Sequence, residues 1–227
     1  MPVVIKICGL TTLEALDAAL EAGADMVGFV FFAASPRHVD VEAARALGAR
    51  VRGRAIKVAL SVDAGDDELA ASVAALKPDM LQLHGEETPE RVAAVRARFG
   101  LPVMKAVPIA ERADLAAVRR YDGVADRLIF DARAPRAATR PGGLGRRFDW
   151  SILERFEARV PFMLSGGLDA DNVAEALRIT GAPGVDVSSG VERVPGEKDL
   201  DKIRAFVGRA REAADRLAAP DRMLSRA

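Results

Sequence analysis

A single cysteine, Cys8, closes the apolar run VVIKIC and directly precedes Gly9. A thiol so placed is either a small buried hydrophobe or, once ionised, a base or nucleophile. Asp131 closes the run RLIFDA in the same manner, although an aspartate there can equally be a turn residue or helix cap. Two more runs end in turns of small residues, Ser165-Gly166-Gly167 and Ser188-Ser189-Gly190. A Gly-Gly step before a helix exposes backbone N–H groups, and a second small-residue turn beside it adds more, which together suit a phosphate. A carboxyl and a thiol flanking a phosphorylated molecule suit proton transfer, one donating and the other accepting.

These residues need a scaffold that gathers strand ends. Apolar runs fall at 3–7, 24–32, 55–62, 79–85, 101–107, 127–132, 161–167 and 184–190. Between them lie segments of helical periodicity, the first (TTLEALDAALEAG) starting on a threonine cap and stopping at a glycine. Further helices are expected near 41–50, 66–77, 88–99, 111–120, 149–157, 169–179 and 199–217. The runs are apolar on both faces, as in a parallel sheet covered by helices. Eight such units without a break in composition favour a single-domain α/β fold, the (β/α)8 TIM barrel, over an open doubly wound sheet. The barrel is expected over 1–208, with 209–227 the end of the last helix and a flexible tail. A Pro/Gly/Arg-rich stretch, 132–148, follows the sixth strand as a long loop of the kind that forms lids or binding loops.

Barrel enzymes carry their chemistry at the carboxyl ends of the strands. Ring order there runs 6, 7, 8, 1, so the phosphate turns fall between Asp131 and Cys8. Strand parity puts Lys6 on the same face as Cys8 and inside the barrel if Ile5 and Ile7 face the helices. A buried lysine needs a partner, and Asp186 on the adjacent eighth strand is the expected one; the ammonium would then favour the Cys8 thiolate. Arg37, after Ser35-Pro36, is either a solvated loop residue or a fork for a carboxylate or phosphate. His84 closes the fourth strand on the same face as Gln82; it rivals Cys8 as base, but a positioning or structural role is favoured because strand 4 lies far from the phosphate. Asp63 and Pro108 add little at strands 3 and 5, and His38 is expected at the surface.

The 33 basic and 33 acidic residues cancel, which removes the electrostatic footprint of a nucleic-acid binder. One cysteine allows no internal disulfide, and no metal-ligand cluster stands out. Neither a signal peptide nor a run of the ~20 apolar residues a membrane span needs is present, so a cytoplasmic protein is expected.

The stretches KICGLT (6–11), GFVFFAASPRHV (28–39), LQLHGEE (81–87), FDA (130–132), GGLGRRFDW (142–150), LSGGLDADNV (164–173) and GVDVSSGVERVPGEKD (184–199) resemble phosphoribosylanthranilate isomerases, in that family's order. The resemblance implies an isomerase of tryptophan biosynthesis: an Amadori rearrangement of N-(5-phosphoribosyl)anthranilate to 1-(2-carboxyphenylamino)-1-deoxyribulose 5-phosphate, without cofactor or metal. By the same resemblance Cys8 is the base, Asp131 the acid and Arg37 the partner of the anthranilate carboxylate. The backbone of Gly166, Gly167, Ser189 and Gly190 holds the phosphate, with Ser188 and His84 also facing substrate; the chain would act as a monomer or homodimer. Two positions depart from the family pattern, Leu144 within the Gly142–Gly145 turn and Ser165 where an alanine is common. A related histidine-pathway isomerase is the nearest rival, but its second phosphate would require a glycine-rich site at strands 3 and 4. A catalytically silent phosphate-binding barrel is the other, with no reason to keep Cys8, Asp131 and Arg37 together.

Overall fold

The computed structural model describes residues 3–135, 137, 138 and 140–219. Its apolar runs become eight parallel strands: β1 (Val4–Cys8), β2 (Met26–Phe31), β3 (Ile56–Ser61), β4 (Met80–Leu83), β5 (Val103–Ile109), β6 (Arg127–Ala132), β7 (Phe162–Leu164) and β8 (Gly184–Val187). They hydrogen-bond in chain order, and β1 pairs with both β2 and β8, so the sheet closes on itself. This is the (β/α)8 barrel, and the open sheet is excluded. Around it lie α1 (Leu13–Glu21), α2 (Val41–Val51), α3 (Asp66–Leu76), α4 (Pro89–Phe99), α5 (Leu115–Val118), α6 (Val173–Thr180) and α7 (Leu200–Ala218). None of the described helices is long and apolar enough to cross a membrane.

Alternation along each strand separates two cores. Outward residues such as Ile5, Ile7, Val27 and Phe29 pack with Leu16, Leu69, Leu177 and Phe206 of the helices. Inward residues Met26, Val58, Met104, Ile129 and Met163 fill the barrel. Each large apolar side chain so buried stabilises by about 1.5–3 kcal/mol. Three loops on the amino-terminal face reuse one device: Asp25, Asp79 and Asp126 accept from the amides of Ile5, Lys57 and Val103 at 2.7, 2.7 and 2.9 Å. Each carboxylate satisfies a strand-end donor of the neighbouring unit.

Two expected helices are cut short. Over 149–157 the chain makes only a 3-10 turn, Trp150–Leu153, and Arg155 then enters the left-handed region at φ 58°. The apolar side chains here dock without a helix: Phe130 meets Phe156 edge-on at 5.8 Å and stacks on Phe162 at 4.7 Å. Over 111–120 the helix shrinks to α5 between two 3-10 turns. Between β8 and α7 the chain also forms a hairpin that the periodicity hides, β9 (Glu192–Val194) and β10 (Glu197–Lys198). Helix α7 runs past 208 to Ala218, and Arg211 ties it to the Gly23 carbonyl at 3.0 Å and Asp25 at 2.7 Å. The tail from 220 lies outside the described residues.

Inside the barrel Lys6 is fully buried and faces Asp186 across the β1–β8 seam, Nζ to Oδ1 2.8 Å, as expected from parity. The Ser165 hydroxyl donates to the other carboxylate oxygen at 3.1 Å. Removing one partner of a buried pair typically costs about 3–5 kcal/mol, whereas replacing both with apolar groups is often near neutral. Lys6→Met is therefore expected to lose about that much stability in urea denaturation. The double variant Lys6→Met/Asp186→Leu should recover most of it; a double variant no more stable than the single one would show that the pair is not the source of the loss.

Candidate active site

At the carboxyl ends of the strands a cavity opens, lined by Cys8, Arg37, His84, Asp131, Gly166 and Ser189 among others. The ring order 6, 7, 8, 1 holds, so both titratable candidates share one wall system with the small-residue turns. Cys8 tops β1 against Val30 and Leu60, 4% exposed. The neighbouring strand leaves room for it through Gly28, where a Cβ would sit 2.9 Å from the Cys8 sulfur and 3.2 Å from the Lys6 ammonium.

Burial lowers the Lys6 ammonium, but Asp186 and the thiol more than offset it and hold it above its ordinary value. The thiol itself departs from the sequence expectation. Burial pushes Cys8 above its ordinary value, Asp186 adds to the rise, and the Lys6 charge opposes it without reversing it. Lys6 is the strongest influence against the rise and Lys198 adds to it, but burial outweighs both. In the free site Cys8 is therefore the neutral thiol.

Asp131 ends β6 with one oxygen accepting from the Ala132 amide at 2.9 Å and the other 3.1 Å from His84 Nε2. On its other side His84 Nδ1 lies 2.9 Å from Gln82 Nε2. With the Gln82 amide donating to Nδ1, the ring proton sits on Nε2, and His84 donates to Asp131. Ring distance along the sheet does not limit side-chain reach: His84, directly after β4, reaches past β5 to Asp131. The loop after β6 covers both. A side chain on Gly142 would lie 2.6 Å from the Asp131 carboxylate and 2.8 Å from His84, so glycine lets this loop rest on the pair.

Gly166 and Gly167 adopt φ 87° and 64°, and their amides find no acceptor among the described residues. Two backbone N–H groups without acceptors on one glycine turn suit an anion. Ser188 and Ser189 line the same cavity. Gly190 does not: it packs against the Leu168 carbonyl, where any side chain would collide, and its part is to let the turn close. Arg133, Arg140 and Arg146 from the covering loop add cationic walls.

Arg37 is buried rather than solvated, and its fork has already closed on a carboxylate. Nε and Nη2 donate to Glu192 at 2.7 and 2.8 Å, and Nη2 also donates to the Gly143 carbonyl at 3.2 Å. Nη1 has no acceptor among the described residues, and it is the nitrogen left for a ligand. Lys198, buried beside Glu192, donates to it at 2.8 Å and to the Ser188 carbonyl at 2.9 Å. Sequence reasoning assigned neither Glu192 nor Lys198. The available signal was an acidic and a basic residue flanking the Pro195-Gly196 turn.

At β3 and β4 the loops leave no second phosphate cradle. Glu87 accepts from the amides of Asp63 and Gly85, each at 2.9 Å, and Asp63 accepts from the Glu86 amide at 2.7 Å. Carboxylates occupy the donors that a phosphate would need. Lys105 pairs with Glu87 at 2.9 Å and donates to the Gly85 carbonyl at 2.6 Å, bracing the loop just after His84. Among the described residues no three His, Cys, Asp or Glu side chains converge on a metal site.

Comparison with known proteins gives one consistent answer. The family model described as N-(5'-phosphoribosyl)anthranilate isomerase matches residues 5–209. An N-(5'-phosphoribosyl)anthranilate isomerase of Rhodopseudomonas palustris (strain BisA53) is 62% identical over 217 residues, covering 96% of this chain and 99% of the relative. The crystal structure of phosphoribosyl anthranilate isomerase from Thermotoga maritima superposes with a TM-score of 0.83 at 34% identity, covering 92% of this chain and 99% of that one. A further isomerase structure, in complex with reduced 1-(o-carboxyphenylamino)-1-deoxyribulose 5-phosphate, superposes with a TM-score of 0.80 at 32% identity, covering 92% and 99%.

Because burial holds the free thiol protonated, alkylation of Cys8 by iodoacetamide should be slow at neutral pH. Its rate should climb about tenfold per pH unit to beyond about pH 8.5, the ordinary thiol value. A rate that levels off below that pH would contradict a raised thiol.

Proposed function

The chain belongs to the N-(5'-phosphoribosyl)anthranilate isomerase family, and we propose that its cavity converts N-(5-phosphoribosyl)anthranilate to 1-(2-carboxyphenylamino)-1-deoxyribulose 5-phosphate in tryptophan biosynthesis. The observation that carries the residue assignment is the placement of Cys8 and Asp131 on one cavity wall, either side of the glycine turns. Phosphate at Gly166, Gly167 and Ser189 hangs the ribose between them. The Arg37 Nη1 group takes the anthranilate carboxylate. The relative complexed with a reduced phosphorylated product supports this reading.

Asp131, protonated, gives its proton to the furanose ring oxygen as the ring C–O bond breaks and C1 becomes an iminium. His84 holds one oxygen of the Asp131 carboxyl, and the other, which accepts from the Ala132 amide, carries the proton to the sugar. The iminium makes the C2 hydrogen acidic; Cys8, once its thiol proton has passed to solvent, takes the C2 proton as the thiolate and leaves an enolamine. Loss of the enol proton from the C2 oxygen and protonation of C1 give the aminoketone. C1 is reduced and C2 oxidised within one molecule, so the reaction is an intramolecular oxidoreduction of the aldose–ketose type. No cofactor or metal enters these steps. The protein acts in the cytoplasm as a monomer or homodimer, with a single barrel domain over 1–208 and the remainder of the last helix and tail beyond it.

Removing a general acid or base typically costs about 10²–10⁴-fold in rate. Cys8→Ala and Asp131→Asn should each lose turnover on that scale, read from the decay of substrate fluorescence. Both should still bind reduced 1-(o-carboxyphenylamino)-1-deoxyribulose 5-phosphate in calorimetry. Near-normal turnover by Cys8→Ala would remove the thiol from the mechanism.

A further inference from the structure

Behind the cavity wall a buried ionic cluster links the two ends at which the substrate is held. Arg37, Glu192 and Lys198 are 4%, 6% and 5% exposed. Each Lys198 ammonium proton has an acceptor: the Ser188 carbonyl at 2.9 Å, the Ser188 hydroxyl at 3.2 Å and Glu192 at 2.8 Å. Lys198 therefore does not reach a ligand. Both Glu192 oxygens are held by the Arg37 fork, Oε1 being shared with Lys198. One carboxylate thus fixes the guanidinium on β2's loop and, through Lys198, the turn after β8.

Two cations share this one carboxylate, which leaves the cluster a surplus positive charge. Burial, with Arg37 adding to it, lowers the Lys198 ammonium below its ordinary value against the pull of Glu192. Burial raises Glu192, but Arg37 and Lys198 more than offset it and keep the carboxyl below its ordinary range. An anion arriving at Arg37 Nη1 neutralises the surplus. The hairpin β9–β10 supplies both Glu192 and Lys198, and its turn glycine, Gly196, packs on the Pro36 carbonyl beside Arg37. A side chain at Gly196 would collide there, so the hairpin is seated against the loop that it holds.

We propose that Glu192 and Lys198 are positioning residues that set the spacing between the Arg37 guanidinium and the Ser188–Ser189 turn, and so select a ligand with a carboxylate at one end and a phosphate at the other. The inference rests on the function proposed above. It assigns the hairpin a role in specificity, separate from the acid and base. A charged bidentate clamp is geometrically exacting. Releasing Glu192 lets Arg37 turn away while the glycine amides that hold phosphate stay in place.

The test compares the wild-type full chain with Glu192→Gln and Glu192→Asp. Calorimetry uses reduced 1-(o-carboxyphenylamino)-1-deoxyribulose 5-phosphate, which carries both anions, and ribulose 5-phosphate, which carries phosphate alone. Glu192→Gln should weaken the two-anion ligand by about tenfold or more and ribulose 5-phosphate by less than about twofold, with KM rising more than kcat falls. Glu192→Asp keeps the charge but retracts it from the fork, and should show the same split. Lys198→Met, which frees the Ser188 turn, should weaken both ligands. If either folded Glu192 variant binds both ligands as the wild type does, or loses both equally, the inference is overturned. A wild type that neither turns over N-(5-phosphoribosyl)anthranilate nor binds the reduced product would refute the function instead, so the two failures are distinct.

Discussion

A barrel closed by pairing its first and last strands must bury whatever points inward at the seam, and here that is a lysine facing an aspartate. Lys6 and Asp186 are register partners on β1 and β8, so strand closure and charge pairing enforce each other. A one-residue slip would turn Lys6 outward and leave Asp186 alone in the interior. The register that satisfies the pair also puts Cys8 at the rim and aligns it with Gly28. The Ser165 hydroxyl on Asp186 extends the same network into β7, next to the glycine turn. At this position the departure from the family's common alanine supplies a hydrogen bond to a buried carboxylate, and so has a physical reason.

The same device recurs at the mouth, each time under a loop that carries a functional group. Lys105 and Glu87 brace the loop behind His84. Arg37, Glu192 and Lys198 brace the loops after β2 and β8. Buried pairs of this kind contribute little net stability, because desolvation cancels much of the attraction. What they give is geometry: breaking one leaves an uncompensated charge, so alternative loop positions are strongly disfavoured. A reaction needing an acid, a base and two anion contacts in fixed relation gains from that rigidity, since misplacement by about 1 Å is costly in rate. Glycine completes the arrangement where loops must touch reactive groups, at Gly142 over Asp131 and at Gly28 beneath the thiol.

Much of this was legible in the sequence because the information is local. Strand ends, glycine turns and parity place Cys8, Asp131, Gly166, Gly167 and the Lys6–Asp186 pair without reference to distant residues. Contacts that depend on side-chain reach were not legible. Counting strands favours a positioning or structural role for His84 but does not show its partner: a histidine at the rim spans the neighbouring strand to reach Asp131. The Glu192–Val194 and Glu197–Lys198 strands are too short for periodicity to register. Residues 149–157 have helical composition, but Phe156 docks edge-on against Phe130 after a 3-10 turn. The direction of the Cys8 shift was also hidden, since it depends on depth as much as on neighbouring charge.

That shift bears on why, in the proposed mechanism, a thiol serves where a stronger acid such as a carboxyl would ionise too soon. In the apolar wall made by Val30 and Leu60, a neutral thiol is cheap to bury, while a carboxylate would need partners of its own. A permanently ionised base beside Asp186 would add a second negative charge to a site already holding one. In the proposed mechanism the iminium brings positive charge next to C2 only after Asp131 has given up its proton and the ring has opened. In a cavity of low dielectric that new charge lowers the cost of the thiolate at the moment when C2 must be deprotonated. Asp131, having become an anion, is steadied by the His84 donor rather than by Cys8. Acid before base is then a consequence of where the charges sit, with Lys6 limiting how far burial can raise the thiol and Asp186 limiting how far Lys6 can lower it.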